Sequence, residues 1–128
     1  MPEDQRSGRL QPELLDRCVE FSIAAVQLSQ RFENDQRPAP IVNQVLRSST
    51  SIGAQLHEAD EAMSDRDFLK CCGIAVKEVR ETEYWLRLIR RLQWASDQPL
   101  TAHREEAKEL RLILKSIIAR TRKRLNNG

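Results

Sequence analysis

The stretch DFLKCCGIAVKEVRETEYWLRLIRR, residues 67–91, decides the fold. Phe68, Cys72, Ala75, Val79, Thr82, Leu86 and Ile89 recur in it at alternating spacings of four and three. At 3.6 residues per turn that alternation keeps one seam of a helix pointing the same way, whereas a half-buried strand would alternate every second residue. No proline interrupts the run, and Ser64 followed by Asp67 reads as an N-cap with an acidic first turn.

The same spacing recurs on both sides. Leu14, Cys18, Phe21, Ala25, Leu28 and Phe32 form one seam, and Val42, Val45, Ser49, Ile52, Leu56, Ala59 and Met63 a second. Ala107, Leu110, Leu114, Ile117 and Thr121 form a fourth after the central stretch. Pro12, the polar run Asn34–Pro40, the joint Ala95–Thr101 and the stop Asn126–Gly128 punctuate them. Joints this short favour antiparallel neighbours, so the expected fold is all-α: an up-down-up-down four-helix bundle over residues 11–128. Residues 1–10 are expected to be a loose tail.

The bulk composition agrees. The chain has 128 residues, 40% hydrophobic and 31% charged, with four Gly and five Pro. It is too apolar for disorder, too poor in turn residues for a β fold, and long enough for one core. Residues 1–10 have no apolar signal core, and no stretch reaches the ~20 apolar residues of a membrane span, so the cytoplasm is the expected compartment. Cys18, Cys71 and Cys72 read as reduced packing residues; adjacent cysteines on a helix point about 100° apart and are poorly placed to bridge.

Catalytic patterns are missing. A di-metal bundle needs Glu-x-x-His pairs, yet Ala54 precedes His57 by three and Leu100 precedes His103 by three. There is no Cys-x-x-Cys-His and no glycine-rich phosphate loop. No catalytic residue, metal site or cofactor is expected, and the chain reads as a non-enzymatic protein.

Two irregularities remain. Arg47-Ser48-Ser49-Thr50-Ser51-Ile52-Gly53-Ala54 is a poor helix former whose small side chains suit a close helix approach. On the third helix Ile74, Trp85, Leu88 and Leu92 widen the apolar sector; they are either covered by neighbouring helices or form a subunit interface.

The stretch Leu46–Ala59, together with Asp67-Phe68-Leu69 and Ile74–Leu86, resembles the signature of the protein family named after ribosomal-RNA intervening sequences. The likeness runs from about Leu14 to Ile118. It implies a short antiparallel bundle that assembles into a homopentameric ring. It also points to the accessory variability determinants of diversity-generating retroelements, basic pentamers that bind nucleic acid and a reverse transcriptase.

The charged residues divide into three groups. If the second and third helices turn back near Ser64, residues whose numbers sum to about 129 lie level. Arg47 and Ser51 then lie beside Glu78 and Glu81, an ion-pair and hydroxyl network to which Glu58 is added. Arg87, Arg90 and Arg91 crowd the end of the third helix, and Arg120, Arg122, Lys123 and Arg124 the end of the fourth, at opposite poles. Either these cations complement the helix dipole, with the acidic joint of Glu58, Asp60, Glu61, Asp65 and Asp67 neutralising the second group, or a ring multiplies them into a phosphate-binding rim for RNA or DNA. Net charge is only +2. The leading reading is an oligomeric scaffold that docks nucleic acid or a partner protein; the competing one is a protein-interaction adaptor without nucleic-acid affinity.

Overall fold

The structure is a computed structural model that describes residues 8–95 and 97–127. Met1–Ser7 of the expected tail, Ser96 in the last joint and Gly128 of the expected stop lie outside the described residues, whereas Asn126 and Asn127 of that stop are still helical. Four α-helices make up the described chain: α1 Pro12–Asn34, α2 Ala39–Asp60, α3 Asp65–Arg91 and α4 Gln98–Asn127. No strand occurs among the described residues.

The helix ends follow local chemistry. Pro12 opens α1 and Pro40 sits in the first turn of α2, where the missing N–H costs nothing. Ser64 caps α3, its Oγ accepting from the Asp67 N–H at 3.1 Å. α1 and α3 end alike: Gln36 and Gln93 adopt φ of 60° and 61°. The N–H groups of Arg37 and Trp94 then donate back to Phe32 O (3.0 Å) and Ile89 O (3.2 Å).

Each helix packs on two neighbours, α1 on α2 and α4, and α3 on α2 and α4. Named pairs mark the seams. Cys18 lies against Gly53, Ser48 against Thr82, Glu83 against Arg111, Asp65 against Arg124, Arg17 against Glu106 and Arg31 against Asp97. The four seam patterns supply the core. Leu14, Cys18, Phe21, Ile52, Leu56, Cys72, Val79, Ala107 and Leu114 form its larger part. Leu28, Phe32, Val42, Val45, Leu86, Ile89 and Leu100 form the part nearer the last joint.

Two boundaries differ from expectation. The end of the supposed tail is docked: Arg9 N–H donates to Asp60 O (3.0 Å) and Leu10 N–H to Asp60 Oδ1 (2.8 Å). Arg9 also pairs with Asp65 at 2.8 Å, and Leu10, 6% exposed, joins the core. A polar stretch is held because buried backbone donors find a carboxylate there. Met63, placed on the second seam, is 94% exposed, because α2 stops at Asp60 and the helical period lapses with it.

Candidate functional site

α3 and α4 each turn a row of cations outward into the groove between them. Arg80, Tyr84, Arg87 and Arg91 stand in a four-three-four spacing on α3, and Arg104, Lys108 and Arg111 in a four-three spacing on α4. Such spacing aligns side chains along one helix face, just as it aligns the core seam on the other. With Arg90, Glu83 and Glu105 these residues line an open groove of about 750 Å³. Arg111 is engaged within it, its Nε and second guanidinium nitrogen donating to the two Glu83 oxygens at 2.8 and 3.3 Å. The remaining cations face Glu105 alone, so the groove is locally far more basic than the molecule as a whole.

Arg87, Arg90 and Arg91 thus share a surface with Arg80, Arg104, Lys108 and Arg111, residues that the sequence reading did not single out. Their outward four-three spacing on α4 was legible, but the seam facing them was not. Arg120, Arg122, Lys123 and Arg124 do not join this groove. Arg124 reaches Asp65 at 3.2 Å. Arg120 borders a second groove beside Arg9 and Phe68, and Arg122 a small one beside Lys115.

The polar network is drawn differently from the expected one. Arg47 pairs with Glu78 at 3.3 Å and with Glu81, and the Arg47 guanidinium holds the Glu81 carboxyl below its usual range. The Arg47 side chain is 47% exposed, so this is an edge contact and not a buried ion pair. Ser51 donates instead to its own helix, to Arg47 O at 2.7 Å. The hydroxyl partner across the seam is Ser48, 2.8 Å from Thr82 Oγ1, both fully buried. Glu58 is exposed, about two turns beyond Ser51. Hydroxyls that bond their own i−4 carbonyls explain how α2 tolerates the run: Ser48 to Gln44 O at 2.8 Å and Thr50 to Leu46 O at 2.9 Å.

Of the suggested interface residues, Ile74, Trp85 and Leu88 are half-buried and Leu92 is exposed. Trp85 packs on the core near the last joint, its indole N–H donating to Glu81 at 3.3 Å. A more exposed apolar row, unremarked in the sequence reading, is Val19, Ile23 and Val26 on α1.

His103 is the other unforeseen feature. It lies four residues before Ala107 and so continues the fourth seam backwards, which buries it to 3% exposure. Burial pushes its pKa down to about 4, against a smaller opposing pull from Glu106. It lies under a groove between α1 and α4 of about 750 Å³, bordered by Glu13, Asp16, Glu20 and the Arg17–Glu106 pair.

No group of three His, Cys, Asp or Glu side chains among the described residues could hold a metal ion. Burial pushes the thiols of Cys18 and Cys72 up to about 11, which keeps them protonated and weakly nucleophilic. Among the described residues no helix is long and apolar enough to cross a membrane.

The described chain is thus an all-α protein of four amphipathic helices, with charged grooves between α1 and α4 and between α3 and α4. The chain matches the family model described as 23S rRNA-intervening sequence protein over residues 11–116 and belongs to that family. It is similar to a crystal structure from Bacteroides thetaiotaomicron, described as a protein of unknown function from the S23 ribosomal protein family. The two share 37% identity and a TM-score of 0.78 over 82% of this chain and 97% of that one. No curated protein matches the chain.

Proposed function

We propose that the protein is a non-enzymatic, cytoplasmic scaffold that binds the phosphate backbone of RNA or DNA along the α3–α4 groove. In this reading the chain is an antiparallel up-down-up-down bundle, as the opposed numbering across each seam suggests, and it assembles into a homopentameric ring that repeats the groove on every copy. The observation that carries it is the facing pair of cation rows, Arg80, Arg87 and Arg91 against Arg104 and Lys108, with Glu105 the one groove-lining acid not in an ion pair among the described residues. Cations on two parallel rods suit a backbone of regularly spaced phosphates, whereas a single helix end suits dipole compensation alone. Among the described residues only Tyr84 offers an exposed aromatic ring there, so affinity in this reading comes from charge and not from base stacking.

The test is binding of a short RNA and a short DNA duplex as a function of salt. Affinity should fall with a log–log slope of about −0.9 per phosphate contacted. A flat response, or no binding at low salt, sinks the reading.

A second reading is a protein-interaction adaptor without nucleic-acid affinity, its partner a protein such as a reverse transcriptase. The exposed row Val19, Ile23 and Val26 favours it, since contiguous apolar surface on a small protein marks a contact site. Unchanged partner capture by Arg104→Glu/Lys108→Glu, together with absent nucleic-acid binding by the wild type, would select it.

A further inference from the structure

α4 outlasts the core. Leu114 is its last buried residue, yet the helix continues to Asn127. Ile117 and Ile118 are half-buried against the core edge, but from Arg122 to Asn127 every residue is exposed, and a helix end with little tertiary packing is marginal in water. This end is nonetheless amphipathic. Ile118, Thr121 and Leu125 continue the side that faces the core further up the helix, with Lys115 and Arg122 on one flank and Arg120 and Arg124 on the other. Ile118 still touches the core edge, but Leu125 is 41% exposed.

A second uncovered row runs along α1. Val19, Ile23 and Val26 are 45%, 44% and 41% exposed. With Ser22, Gly53 and Ala54 they line a depression of about 280 Å³, open because Gly53 and Ala54 put almost no side chain there. Asp16 and Glu20 come next around α1, and neither is in an ion pair among the described residues.

We infer that the end of α4 in one copy docks on the outer face of α1 in a second copy of this chain. Two properties select the pairing. Ile118 and Leu125 stand seven residues apart, as do Val19 and Val26, so both apolar rows extend about 10.5 Å along their axes. Lys115 and Arg122 flank the first row, and Asp16 and Glu20 flank the second. A like-charged flank would repel the docking helix; the opposite charge fixes which surface it meets. Donor and acceptor surfaces differ, so the contact is heterologous and repeats head-to-tail until the rotation closes a ring. The inference rests on the homo-oligomeric reading above and names the two surfaces that would build it. It also separates the two basic groups: the α3–α4 groove stays open to phosphate while the α4 end is used between copies.

Light scattering on the full chain tests it. The wild type should run at a multiple of the 14.8 kDa chain mass. Asp16→Lys/Glu20→Lys and Lys115→Glu/Arg122→Glu should each fall to the single-chain mass, and the variant carrying all four changes should regain the assembly. All four positions are exposed, and unchanged helical circular dichroism would show that the variants fold. Leu125→Glu should dissociate the assembly without touching the charged pairs. A wild-type oligomer unaffected by either pair of substitutions overturns this contact and leaves the oligomeric reading standing. Dissociation without recovery in the fourfold variant also overturns it. A single-chain wild type overturns both.

Discussion

The imidazole of His103 on α4 lies flat on the ring of Phe21 on α1, centroids 4.0 Å apart and planes 8° from parallel. Its Nε2 reaches past α1 to Ser49 Oγ on α2 at 3.1 Å. One side chain thus joins three helices at a depth where a charge would be poorly solvated.

Acid should therefore unfold the protein through His103. Its folded pKa of about 4 lies below the unfolded value, so below that unfolded value the unfolded chain binds the extra proton. Stability is retained above about pH 6.5 and falls as pH drops toward 4, by roughly 3 kcal/mol from this residue. Urea titrations across that window measure it. His103→Leu should flatten the dependence, with Ser49 free to bond a carbonyl of its own helix; an unchanged slope would remove His103 as the cause.

Leu10→Ala should cost about 2 kcal/mol, near the lower end for a buried leucine, because the site is at the margin of the core. A loose tail would lose nothing. Thermal melting separates the two.

Gly73→Ala should stabilise by about 0.5–1 kcal/mol. Gly73 is inside α3, and a Cβ there meets no heavy atom within 4 Å, so the gain in helix propensity comes without a steric cost. A lower melting temperature would mean that the position is occupied by something the bundle alone does not show.

Arg47→Ala should cost about 1 kcal/mol or less, the scale of an exposed ion pair. A loss of ~3–5 kcal/mol would require a buried charge left without its partner, and the half-exposed guanidinium argues against that.

Arg104→Ala/Lys108→Ala should weaken binding to RNA and DNA alike and make the log–log salt slope shallower by about one for each lost phosphate contact. Arg111→Ala should act less on the slope, since that guanidinium is already held by Glu83. Equal slopes in wild type and variant would move the phosphate site elsewhere.

The helices themselves were written in the sequence, because periodicity, proline placement and the Ser64 cap are local properties that a chain displays whatever its neighbours. Leu28, Ile52, Val79 and Leu114, read as core from spacing alone, are all buried. Which outward rows face each other was another matter. Arg87 and Lys108 share a groove, Ser48 meets Thr82 while Ser51 bonds its own helix, and His103 fills the space beside Phe21. Those outcomes depend on the rotation and level of one helix against the next. A shift of one residue turns a side chain by about 100°, and nothing within a single helix records where its partner stands.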